Sequence, residues 1–359
     1  MNMACCNCNG YHEFNLSWLI AELKKALEEW GAIEKDWEET KDYITNYFKN
    51  LDVQDEINNK LDEMLENGEL KTIVEQIFAE IKAEKSDKCS YYINMVELGV
   101  KNDGTTDVTE KIQEIFNDNK YRNKVFFFPA GTYIISKPLT LKWSSVNDRQ
   151  SVLGEGAIFK ASNNFSGAAM LSIEYGEGTE LFTTLTNRSV RGITLIGRHT
   201  AENPEQGLYC EVYNTRIENV NVIDCDKGFW IVQKEGWPGD FYLNYCRAAC
   251  GYNQSEGFIL DTNDTYLDHC WCDPTFNGFE INGSGINIQN SHAVGFDSSY
   301  EDWDLTHAFN IQGEWTILKN VYCDNYRKGI VNVAKRSIID TAYFYWFSSK
   351  CVQSCIEVD

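Results

Sequence analysis

Near the start of the chain apolar residues recur every seven positions, at Leu16, Leu23, Trp30, Trp37, Ile44 and Leu51, with Leu19, Ala26, Ile33, Thr40 and Tyr47 between them. Five heptads in register, with Glu, Lys and Asp at most other sites, predict a coiled-coil helix roughly 50 Å long. Bulky Trp at two consecutive a sites fits a two-stranded seam poorly and argues for three strands, hence a homotrimer. A second helical run, DEINNKLDEMLENGELKTIVEQIFAEIK, follows and is broken at Asn67-Gly68, which reads as a helix stop.

The pattern changes in KNDGTTDVTEKIQEIF. Asp103-Gly104 makes a turn, Asp107 can cap a helix with Glu110 as its reciprocal partner, and Val108, Ile112, Ile115 and Phe116 form one apolar face. The next segment, KVFFFPAGTYIIS, predicts a strand that is apolar on both faces, a Pro-Ala-Gly turn and a second strand. A strand of that kind needs cover, and a short amphipathic helix over about 107–117 supplies it.

From there the sequence is weakly self-similar. Segments VRGITLIG, IENVNVIDC, LNYCRAAC, LDHCWC, IQNSHAVG, LKNVYCD and IDTAYFYW align on Val190, Ile217, Leu243, Leu267, Ile288, Leu318 and Ile339, at intervals of 27, 26, 24, 21, 30 and 21 residues. A second track of a small residue followed by apolar ones runs in parallel: GFWIV, GFILD, GFEI, AFNI and GIVNV. Two tracks repeating together predict a solenoid of stacked coils, the anchors pointing inward. Asn219, Asn244, Asn290 and Asn320 fall near turns, where side-chain amides can stack or bond backbone. Cys225, Cys246, Cys270 and Cys323 follow their anchors and read as inward stacks of small polarizable side chains. The Gly-x-Gly of VLGEGAIF has no helix after it and reads as a corner of the coil.

Two resemblances attach to these motifs. The N-terminal run, LDVQDEINNKLDEMLENGEL above all, resembles the attachment regions of tail, collar and appendage proteins of tailed phages. The pair GVKNDGTTDVTEKIQ and VFFFPAGTYIIS resembles the opening motif of the pectate-lyase superfamily of right-handed parallel β-helices, also seen in phage tailspikes. The second implies that the short helix closes the N-terminal end of the β-helix, where unpaired strand edges would invite aggregation. Lyases of that family use carboxylates to hold calcium and an Arg or Lys as base. Their pattern is not identifiable in this sequence, so the resemblance implies fold and not activity.

Composition narrows the partners. The formal net charge is −22 over 359 residues, and no stretch of Lys and Arg is dense enough for a polyanion, which argues against nucleic acid and anionic membranes. No run approaches eighteen apolar residues, and the segment MNMACCNCNGYHEF lacks the features of a secretory signal. Thirteen cysteines spread over the chain are odd in number and unlike a disulfide scaffold, so reduced thiols are expected. Cys5, Cys6, Cys8 and His12 include one C-x-x-C, a candidate for zinc, with an anchor segment over 1–15 the alternative.

Acidic residues cluster on the expected coils. Asp224 and Asp226, then Asp261, Asp264 and Asp268, then Asp273, Asp297, Glu301, Asp302 and Asp304 provide carboxyls of the kind polysaccharide hydrolysis needs, one to protonate the leaving oxygen and one as base or nucleophile. Pairs from the first two groups, on adjacent coils, are the catalytic candidates; calcium on the same face is the cofactor alternative, and none is otherwise expected. The competing explanation is that Asp favours turns. Trp230, Trp237, Trp271, Tyr300 and Trp303 are the candidate sugar-stacking rings, with Trp315 near them. His199, His269, His292 and His307 show no paired spacing and read as ordinary histidines.

The expected protein is mainly β: an anchor over 1–15, a helical coiled-coil stalk over 16–88 and a right-handed parallel β-helix over 89–359. The expected function is that of a phage virion appendage, tailspike or tail fibre, self-trimerising, contacting other tail, collar or portal proteins through its N-terminus and binding a host-surface polysaccharide or teichoic-acid-like polymer. A depolymerase on the same face and a purely structural collar or head fibre are the alternatives. The ending SCIEVD reads as a strand without a cap, which predicts either processing or cover by another chain.

Overall fold

A computed structural model describes residues 16–30, 37–49, 55–88, 91–143, 150–177, 188–198, 206–236, 239–251, 254–295, 305–345 and 354–358. The chain divides into two units, Met1–Ser90 and Tyr91–Asp359.

The first unit contains helices α1 (Leu16–Trp30), α2 (Trp37–Lys49), α3 (Asp55–Glu66) and α4 (Glu69–Lys88). The expected stop at Asn67-Gly68 falls between α3 and α4; Gly68 takes φ +78°, and the Asn67 side chain accepts the Glu69 N–H at 2.8 Å. The heptads do not form one continuous helix. Tyr47 Oη donates to Glu22 Oε2 at 3.2 Å, whereas 25 residues of straight helix would hold these groups about 37 Å apart. The helices fold back, and the seam residues Leu23 and Ile44 are buried with Leu27, Phe48, Met64, Leu70 and Val74 in one core within the chain. A seven-residue apolar repeat is thus satisfied by neighbouring helices of the same protomer. Leu51 and the side chains of Leu16, Trp30 and Trp37 lie outside the described residues.

The second unit is a parallel β-helix. Each coil after the first gives one strand to each of three tracks; the first two merge into one sheet of sixteen strands, and the third forms a separate sheet of nine, all paired in parallel. The seven anchors stand in one column: Val190 pairs Ile217, then Leu243, Leu267, Ile288, Leu318 and Ile339 in turn. The column extends backward through Val152 and Phe126 to Ile93, making ten rungs and about 43 Å at ~4.8 Å per rung. On the third track Leu139, Leu171, Leu208, Phe229, Phe258, Phe279, Phe309, Ile330 and Ile356 form a second inward column.

Corners need a left-handed residue. Between the first and second tracks of five successive coils these are Asn219, Tyr245, His269, Asn290 and Asn320, with φ of 53°, 53°, 53°, 49° and 52°. Asn320 Nδ2 donates to Asn290 Oδ1 at 2.8 Å and Asn290 Nδ2 to Asp268 Oδ1 at 2.9 Å, a polar ladder up the corner. Asn244 is no part of it: it ends a first-track strand, because Tyr245 takes the corner on that coil. Inside the corner the thiols of Cys246 and Cys270 are buried and donate to the carbonyls of Ile217 and Leu243 on the preceding coil, at 3.3 and 3.4 Å. Cys225 and Cys323 are buried at other stations. Burial pushes the neighbouring Cys250 thiol up to about 12, as expected of inert packing thiols.

The short helix α5 (Thr109–Asn117) buries Ile112, Ile115 and Phe116, with Val108 just before it. Asp107 accepts the Thr109 N–H at 3.0 Å, but Glu110 pairs with Lys137 at 2.7 Å, so the reciprocal cap does not form. The third track begins at Leu139–Trp143, whose one strand partner lies on the following coil. On its open edge Gln113 supplies the missing pairing: its Nε2 donates to the Thr140 carbonyl at 2.9 Å and its Oε1 accepts the Thr140 N–H at 2.8 Å. Gln113→Ala leaves both backbone groups without these partners and is expected to cost about 1–3 kcal/mol, read as a lower unfolding midpoint in urea; an unchanged midpoint would show the edge to be satisfied by water.

Candidate functional site

On the outer face of the third track two columns run up the coils. Gln206, Lys227, Glu256, Asn277, His307 and Lys328 occupy one. Tyr209, Trp230, Ile259, Glu280, Asn310 and Val331 occupy the other. Both follow from register: the residue before each small-apolar pair and the residue after it face outward together on every coil.

The columns bring together charges that are far apart in sequence. Glu280 is only 7% exposed; its carboxylate pairs with His307 Nε2 and accepts the Asn310 amide at 2.9 Å. Lys227 Nζ stands 3.4 Å from Glu256 Oε2 and 4.6 Å over the Trp230 ring. Burial raises the Glu256 carboxyl above the ordinary range, and the Glu280 charge adds to the rise against the opposing pull of Lys227 and His307. Trp230 stacks edge-on against Tyr209 at 5.5 Å and donates its indole N–H to Asp261 Oδ2 at 2.7 Å. The other Asp261 oxygen accepts the Asn282 amide at 2.6 Å. Beyond Asp261 the face opens into a groove of about 300 Å³ lined by Gln233, Lys234, Thr262, Asn263 and Asn282.

The expected carboxylates are not on one face. Asp224, at φ +57°, and Asp226 flank the corner that enters the third track. Asp261 ends that track and Asp264 turns out of it at φ +49°, while Asp268 ends the first track. Lys227 pairs Glu256 and Val232 pairs Asp261. Asp226 and Asp261 therefore sit about six residues apart along the strands, on the order of 20 Å, against the ~5–9.5 Å of a glycosidase pair. The Asp226–Asp261 pairing fails because Asp concentrates at the turns that open and close a strand.

Of the rings, Trp230 lies in the site. Trp271 is 45% exposed on the outer face of the second track, edge-on to His292 at 5.1 Å. Trp237, Tyr300 and Trp303 lie outside the described residues, as do Asp297, Glu301, Asp302 and Asp304 and the cysteines at 5, 6 and 8 with His12. Among the described residues no group of three or more His, Cys, Asp or Glu is arranged to hold a metal ion. Glu256, Glu280 and His307 carry no spacing signal of their own; aligning the GF pairs outward as well as inward would have exposed them.

The rhamnogalacturonase A/epimerase, pectate lyase-like family matches residues 92–331, the β-helix through nine of its ten rungs. The chain belongs to this family. A relative, "Probable rhamnogalacturonase E" of Aspergillus niger, is 23% identical over 180 residues, 50% of this chain and 38% of that protein. Among solved structures, ORF18 of Geobacillus virus E2 superposes with TM-score 0.56 at 14% identity, over 80% of this chain and 62% of that one. The gp42 tailspike of Acinetobacter phage vb_AbaP_AS12 gives 0.53 at 14% identity, over 71% and 46%. The chain thus spans less than two thirds of each relative, and at these identities the two viral structures share its fold.

Proposed function

We propose that the protein is a phage virion appendage that binds a host-surface polysaccharide along the outer face of the third track. The observation that carries this is the groove of about 300 Å³, lined by Asp261 and Asn282, with the Trp230 indole hydrogen-bonded to the same Asp261 carboxylate. A ring held edge-fixed beside oriented carboxylate and amide groups suits a sugar, which offers an apolar face and a ring of hydroxyls. The family match and the two viral structures support the reading. In it the helical unit attaches the β-helix to other virion proteins and to copies of itself, which native mass measurement of the full chain checks.

The test is a glycan array of bacterial surface polysaccharides and wall teichoic acids. The protein is expected to bind at least one, and Trp230→Ala and Asp261→Asn each to weaken binding about tenfold or more, while Trp271→Ala leaves it unchanged. No binding to any polymer, or equal binding by all variants, would overturn the assignment.

Cleavage of the bound polymer is favoured by one observation, the raised Glu256 carboxyl beside Glu280. A carboxyl that keeps its proton to higher pH can donate it to a glycosidic oxygen, and a second, oriented by His307 and Asn310, can act as base or nucleophile.

A further inference from the structure

A second groove, of about 230 Å³, lies on the outer face of the first track, on the early coils. Its origin is a gap in a column. Tyr92, Val125, Ser151, Ser189, Arg216, Tyr242 and Tyr266 follow one another up that face. Higher up Tyr242 and Tyr266 stack at 5.5 Å, and Arg216 lies 5.3 Å over Tyr242. Lower down the two serines are too small to fill the same positions, and the Ser189 N–H is bonded to Ser151 Oγ at 3.1 Å. The recess between Tyr92 and Arg216 results.

Two guanidinium groups face it, from Arg191 and Arg216, against one carboxylate, Glu218. Arg188 backs the recess from the interior, fully buried and 4.5 Å over the Trp143 ring. Arg191 Nη1 stands 3.8 Å from Glu218 Oε2, beyond hydrogen-bond distance, and its Nε is buried without a hydrogen-bond partner. Tyr91 and Tyr92 form the other wall, edge-on at 5.5 Å and each about half exposed. In a chain of net charge −22, two arginines converging on a recess beside two exposed rings are not a general surface property.

We propose that this groove binds an oxyanion carried on a glycan, the arginines holding the anion and Tyr91 and Tyr92 the adjoining sugar ring. Guanidinium forks match the paired oxygens of phosphodiesters and carboxylates alike. That the anion arrives on a polymer rests on the polysaccharide reading above; that the groove takes an oxyanion does not.

The full-length protein is titrated with a glycerol-phosphate oligomer, a uronate trisaccharide and a neutral dextran oligomer. At least one anionic oligomer is expected to bind, more weakly as salt rises, and the one bound tighter identifies the source of the anion. Arg191→Ala/Arg216→Ala should weaken that binding at least tenfold and leave circular dichroism unchanged. Arg191→Lys/Arg216→Lys, which keeps the charge but not the fork, should fall between. Trp230→Ala should leave anion binding intact, so the two sites fail independently. Equal affinity in wild type and the double alanine variant, or no binding of either anion by wild type, would overturn the proposal.

Discussion

Truncating Phe258 to alanine is expected to destabilise the β-helix by about 3–5 kcal/mol, on the order of 10 °C in melting temperature for a unit of this size. The ring is fully buried and stacked between Phe229 at 4.7 Å and 3° and Phe279 at 4.9 Å and 5°. Phe279 continues the stack to Phe309 at 4.7 Å and 2°. Removing one ring from the middle therefore opens a cavity and breaks two ring contacts, which neighbours fixed by parallel register cannot close. Phe258→Leu keeps most of the volume and is expected to cost less, mainly the ring contacts at about 0.5–1.5 kcal/mol each. A melting temperature for Phe258→Ala within a few degrees of wild type would show that the coils slide to fill the void.

The small residue before each ring belongs to the same argument. A Cβ added at Gly257 would meet Cys272 Sγ at 2.3 Å and the Gly278 carbonyl at 2.6 Å; one added at Gly228 would meet the Ala248 Cβ at 2.6 Å. The third track turns its glycine toward the inward side chain of the second, so the pair is one packing unit, repeated at Gly228, Gly257 and Gly278 on successive coils. That is why the repeat was legible. Inward positions of a solenoid face the same neighbours on each coil and are held to the same shape, so Val190 to Ile339 align without any homologue for comparison.

Outward positions face solvent and carry no such constraint. Lys227, Glu256, Asn277 and His307 share a column yet have nothing chemical in common that a repeat search would detect. The acidic residues that do stand out, Asp224 and Asp264, are conspicuous because left-handed corners favour Asp, a backbone reason and not a chemical one. The heptads are ambiguous for a related cause. Periodicity records that a helix face is buried but not by what, and Leu23 and Ile44 are buried just as well by a helix of their own chain.

On the cleavage reading proposed above, Glu256→Gln is expected to lower turnover by roughly 10²–10⁴-fold in a reducing-end assay, while leaving polymer binding near wild type. The same substitution should raise stability at neutral pH. The Glu256 carboxyl is raised in the folded protein, so its contribution to stability is fully present below the unfolded value, near 4.3 for Glu, and is lost as pH rises through the folded value. Glutamine is neutral throughout and escapes that loss, so the melting-temperature gain over wild type should appear above pH 5 and vanish below pH 4. The pH profile of cleavage carries the sign of each neighbour. Activity requires the protonated acid, so its alkaline limb should lie above the ordinary carboxyl range. Lys227→Met removes a group that lowers Glu256 and should move that limb to higher pH. His307→Gln removes another such group, but it also frees the Glu280 carboxylate and should lower turnover at every pH. A Glu256→Gln protein that still cleaves, or a limb that Lys227→Met moves downward, would separate the raised carboxyl from the chemistry and leave the third track a binding face alone.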